Sequence, residues 1–101
     1  PPSPDLTALE ARVRALEVFS FPTSVRAPDG SFAAFIRLNE EGPVRVLAFD
    51  ARHAFKNAVQ FRRAQDAAAH LSLLLAAGGV VETSSDHADF AINYCSLHPG
   101  V

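Results

Sequence analysis

Four side chains near the end of the chain have the types that hold a metal ion: His87, Asp89, Cys95 and His98. His87-x-Asp89 offers an imidazole and a carboxylate from a loop. Cys95-x-x-His98 offers a thiolate and a second imidazole, and the set as a whole suits zinc. The spacing matches no closed zinc pattern. The plainer alternative is a solvated polar loop beside a small buried thiol.

Nucleophilic chemistry finds less support. Cys95 has histidines nearby in sequence, but nothing local marks a lowered thiol pKa or an oxyanion hole. Ser84 and Ser85 stand beside Asp86 and His87, yet the members of a triad converge in space rather than in a row. No GxSxG, Walker A or GxGxxG sequence occurs. Gly78-Gly79 follows an apolar helical pattern instead of opening one, so it reads as a helix stop and not a phosphate cradle. No catalytic residue is assigned and no cofactor is expected.

A second kind of chemistry is electrostatic. Arg52, Lys56, Arg62 and Arg63 enclose Phe55 and Phe61, a mixture that suits phosphates and stacked bases if the fold gathers it. Residues 45–63 carry net charge +4, whereas residues 64–101 carry −4 with no Lys or Arg. That split suits pairing between the two segments at least as well as it suits nucleic acid. The whole chain is at −2, so no global field drives it to nucleic acid or an anionic membrane.

The totals bound the rest. A chain of 101 residues with 49% apolar residues and eight Phe is long enough for one domain with its own core. One cysteine excludes an internal disulfide framework and fits a reducing compartment, hence an expected cytoplasmic location. No apolar run reaches the length of a membrane span. The chain begins with Pro1 rather than Met, as a processed product or a fragment of a longer protein would. Eight Arg against one Lys, with abundant Ala, is the composition of a GC-rich bacterial or phage genome.

The elements that must position these residues are organised around Arg63 to Gly79. From Ala64, the apolar positions Ala67, Ala68, Leu71, Leu74 and Leu75 follow helical spacing. This predicts one long central helix stopped at Gly78-Gly79. Leu73 points away from that stripe, near Ala69, Ala76 and Ala77, and so faces either solvent or a second partner.

At the N-terminus, Pro1 to Pro4 reads as the end of a linker. Leu6, Leu9, Val13 and Leu16 then form a heptad-like stripe on a helix reaching about Val18. With two heptads only, it serves either a short coiled coil or this chain's own sheet. Three strands follow, in segments 17–27, 31–39 and 44–50, joined by Pro28-Asp29-Gly30 and by Glu40-Glu41-Gly42-Pro43. The second and third strands are apolar on both faces, which predicts a sheet covered on both sides. Residues 51–56 read as a turn and 57–62 as a strand, with a short helix as the alternative. Val80 to Thr83 and Phe90 to Cys95 read as closing strands, the latter from the alternation of Phe90, Ile92 and Tyr94.

The expectation is therefore an α+β fold: an N-terminal helix, an antiparallel β-meander, one long central helix packed on the sheet, and a C-terminal strand or strand pair. Residues 1–18 form a linker and amphipathic helix, and residues 19–101 the globular domain. The expected function is a non-enzymatic, self-associating interaction module, with contacts from Leu6, Leu9, Val13, Leu16 and Leu73. A nucleic-acid-binding regulator using residues 52–63 is the alternative, and a small metal protein or enzyme the third. The expected partner is a second copy of the chain or another protein; membrane association is not expected.

Overall fold

The computed structural model describes residues 4–15, 23–37, 42–82 and 86–100. Within them the order is α1 (Pro4–Arg14), β1 (Thr23–Arg26), β2 (Phe32–Arg37), β3 (Val44–Phe49), β4 (Phe55–Phe61), α2 (Ala64–Ala69), α3 (Ser72–Ala76), β5 (Val80–Glu82) and α4 (Asp86–Leu97). The fold is α+β, as expected. Leu16, Phe19, Phe21, Leu38, Ser84 and Ser85 lie outside the described residues.

The strands form one antiparallel sheet in the order β4-β3-β2-β1-β5. The first four make the meander that the short polar connections demand. At the first of these, Asp29 accepts from the Ser31 amide at 2.9 Å and Gly30 takes φ +93°, the left-handed turn geometry that favours glycine. The chain leaves β4 at one edge, crosses the sheet as α2 and α3, and adds β5 at the other edge beside β1.

Alternation sorts the sheet into two faces. Val25, Ala33, Phe35, Val44 and Val46 lie under α1, α2 and α3. Phe32, Ala34, Ile36, Leu47 and Phe49 lie under α4. The predicted covering of both faces is observed, and helices of this same chain supply it.

Three expectations need correction. The long central helix is two short ones. The stripe survives, with Ala67, Ala68, Leu71 and Leu75 buried, but the helix breaks at His70 and Leu71. Leu71 takes φ −102° and ψ 13°, and its amide closes a tight bond to Ala68 at 3.1 Å. Neither glycine nor proline marks the break; Ala67, Ala68, Leu71 and Leu75 join one core on both sides of it, and α2 packs on α1 and on the β3 and β4 strands. The end of α3 is as its glycines imply. The Gly78 amide bonds Leu75 and the Gly79 amide bonds Leu74, with Gly78 at φ +101°.

The second correction is that Phe90–Cys95 is helix, not strand. Phe90, Ala91, Tyr94 and Cys95 repeat at helical spacing and meet the second face. A short apolar run satisfies both periods, and the acidic first turn of Asp86 and Asp89 is the signal that favours helix.

The third concerns the N-terminal stripe. Leu9 and Val13 have no exposed surface and Leu6 is half-buried against the same core. Burial of two such side chains is worth about 1.5–3 kcal/mol each. Leu6, Leu9 and Val13 thus pack into the chain's own core, while Leu16 lies outside the described residues.

Candidate functional site

The feature that gathers the most chemistry lies where the start of α4 meets the sheet and the β3–β4 turn. Its floor is Phe32. The His87 ring stacks on Phe32 with centroids 4.3 Å apart, and His53 meets the same ring edge-on at 5.2 Å. The two imidazole centroids are 5.5 Å apart with the ring planes inclined by 69°, and Phe90 lies 5.0 Å from His53.

Each partner is placed by a local device. Asp50 ends β3 and accepts from the amides of Arg52 and Ala54 at 2.8 and 2.9 Å, closing a tight turn. These bonds hold its carboxyl below the usual carboxylate range. Inside that turn His53 takes φ 66°, a left-handed conformation that a non-glycine residue adopts uncommonly. On the other side Glu82 ends β5. Its Oε1 lies 3.0 Å from His87 Nδ1, and its Oε2 accepts from Arg26 Nε at 3.3 Å. Burial pushes the Glu82 carboxyl up, and the bonds from His87 and Arg26 more than offset it, so the group is held below its ordinary 4.5. The resulting row is Arg26, Glu82, His87, His53. Such a carboxylate–imidazole pair can orient one ring nitrogen and leave the other for a proton or a ligand.

The residues singled out by sequence are not drawn together. His87, Asp89 and Cys95 run along α4 with His98 just past its end, and a rise of 1.5 Å per residue puts about 16 Å between His87 and His98. Cys95 is buried, and burial pushes its thiol pKa up, with Arg45 opposing, so it is not a poised thiolate. His98 stacks instead on Tyr94 at 4.2 Å, which stacks on Phe55 at 5.0 Å. Among the described residues, no group of three or more His, Cys, Asp or Glu converges as a metal set would.

The basic segment is likewise divided. Arg52 and Lys56 lie at one end of β4, Arg62 and Arg63 just past the other, about 20 Å away at the rise of a strand. An open depression of about 530 Å³ beside the latter pair is lined by Gly42, Pro43, Gln60, Phe61 and Arg62. Lys56 is the extra residue of a bulge opposite Ala48 and Phe49. A bulge and a lysine on an edge strand are devices that discourage a second strand from pairing there.

Leu73 is 84% exposed, and Ala76 at the end of α3 and Ala77 just past it are exposed as well. Among the described residues, no helix is long and apolar enough to cross a membrane.

The Arg26–Glu82–His87–His53 row escaped sequence reasoning because its members come from β1, β5, α4 and a turn. Only the turn read over residues 51–56, which holds His53, was a local signal. No protein-family model, no curated protein and no solved structure matches this chain.

Proposed function

We propose that this chain is a non-enzymatic interaction module that associates with copies of itself, with the outward side of α3 at the contact. The carrying observation is Leu73, 84% exposed on a helix whose other leucines turn inward. Ala76 and Ala77 follow it at helical spacing and leave a flat apolar surface around it. Both sheet faces are covered by the chain's own helices and Lys56 is bulged on the β4 edge, and of the large apolar side chains exposed among the described residues (Leu73, Val80 and Leu97) Leu73 is the most exposed. Leu9 and Val13 take no part, because they are already buried.

The test is solution mass by light scattering at high micromolar concentration, for the native chain and for Leu73→Asp. The native chain is expected as a dimer or larger. The variant is expected as a folded monomer whose melting temperature no longer depends on concentration, since an exposed site shifts the monomer's own stability by no more than about 0.5 kcal/mol. A native monomer at that concentration ends the proposal.

Phosphate binding by Arg52, Lys56, Arg62 and Arg63 is the second reading. The separation of the two pairs means that only a strand whose phosphates span about 20 Å reaches both. Absence of affinity for such a strand at low salt removes it.

A further inference from the structure

The aromatic cluster at the start of α4 holds two imidazoles that the association described above does not use. We propose that His53 and His87 together bind one late first-row divalent ion, such as Zn²⁺, Cu²⁺ or Ni²⁺, with Glu82 as the group that orients His87.

Three observations carry this. The first is separation. Imidazole nitrogens sit about 2.0–2.1 Å from zinc, which puts each ring centroid about 3.2 Å from the ion. At ligand angles between tetrahedral and trigonal, two such rings stand about 5.2–5.5 Å apart by that geometry. The centroids of His53 and His87 are 5.5 Å apart, with the ring planes inclined by 69°.

The second is orientation. A histidine that ligates a metal typically gives its other ring N–H to a carboxylate, which fixes the tautomer and raises the basicity of the free nitrogen. Glu82 Oε1 stands 3.0 Å from His87 Nδ1, which leaves Nε2 for the ion. Arg26 Nε holds the other oxygen of Glu82 at 3.3 Å, so the carboxylate is itself fixed.

The third is the backbone of His53. A non-glycine residue at φ 66° carries strain of about 1 kcal/mol or more. Gly would close this turn at less cost, yet an imidazole stands there, its ring centroid 5.5 Å from that of His87. Phe32 and Phe90 border the pair, with His87 half-buried on Phe32 and His53 open to solvent.

Imidazole is the donor that late first-row ions favour over the oxygen sites of Mg²⁺ or Ca²⁺. With two protein ligands, the ion keeps positions for water or for a donor from another molecule.

The experiment is calorimetric titration of the full chain with zinc chloride, and separately with nickel and copper chloride. Four variants are compared with the native chain. His53→Gly removes the imidazole while suiting the positive φ. His87→Ala removes the other ligand. Glu82→Gln tests orientation, and His98→Ala, at the far end of α4, is the control. The expected result is one ion per chain. Saturable binding is lost in His53→Gly and in His87→Ala, weakened about tenfold in Glu82→Gln, and unchanged in His98→Ala. Absence of saturable binding by the native chain, or binding that survives either histidine replacement, overturns the proposal. If His87→Ala does not fold, paramagnetic broadening by Ni²⁺ in the native chain decides. Loss of the His53 and His87 ring signals is expected. Broadening confined to His70 or His98 overturns it.

Discussion

One face of the sheet is covered by Leu9, Val13, Ala67, Ala68, Leu71 and Leu75, the other by Phe90, Ala91, Tyr94 and Cys95. The first is mostly aliphatic and closes over small side chains that let helices approach. The second is a stack of rings: Phe32 on Phe49 at 5.0 Å, Phe49 against Phe55, Phe90 and Tyr94, and the histidines at its rim. Aliphatic packing is non-directional and depends on volume. Ring packing has preferred geometries and tolerates a polar edge. This is why the titratable groups of the candidate site border the second face. An imidazole can lie on Phe32 and still reach a carboxylate.

The sharpest test of that contrast compares the central ring of each face. Phe35 and Phe49 are 2% and 1% exposed, so replacing either by Ala is expected to cost about 3–5 kcal/mol in urea unfolding. Replacement by Leu should separate them. Phe49→Leu loses several ring contacts and is expected to cost about 1 kcal/mol more than Phe35→Leu. Equal costs would mean that the two faces do not differ in kind.

A smaller effect distinguishes the histidines. His87 stacks on Phe32 and bonds Glu82, whereas His70 is exposed and only tilts against Phe61 at 5.1 Å. His87→Ala is expected to lower stability by about 1–2 kcal/mol through lost stacking and a lost hydrogen bond. His70→Ala should change it by less than about 0.5 kcal/mol. A larger loss at His70 would reverse the comparison.

The smallest effect is in acid. Glu82 is held below its ordinary 4.5 in the fold, so its stabilising contribution is fully present above that value. It is lost as pH falls through the lower, folded value. Glu82→Gln should therefore remove up to about 1 kcal/mol at neutral pH and flatten part of the fall in stability below 4.5. Asp29 and Asp50 are held low by their turn bonds and leave an acid transition of their own. An unaltered acid profile in Glu82→Gln would mean that its bonds to His87 and Arg26 contribute nothing.

Much of the fold was legible because it is written in short-range pattern. Phe32, Ala34 and Ile36 against Ala33 and Phe35 marked both a strand and its two faces. Gly78-Gly79 marked the end of α3. The β4 strand was also visible, starting at Phe55 rather than Asn57, because its bulge at Lys56 breaks the alternation there. What failed did so where two periods fit the same residues. Phe90 to Cys95 alternates well enough for a strand and repeats well enough for a helix, and the choice was made by the aromatic face it had to cover.

The sequence by itself determined the meander, the inward stripe of the central helical segment and the apolarity of both sheet faces. These depend on the turn chemistry of Asp29 and Gly30 and on local periodicity. The tertiary structure alone decided that α2 and α3 are separate and that α1 spends Leu9 and Val13 internally. It alone brought Arg26, Glu82, His87 and His53 into one row. The Arg26–Glu82 contact depends on the β1–β5 pairing of residues more than 50 positions apart, and no local pattern encodes that distance.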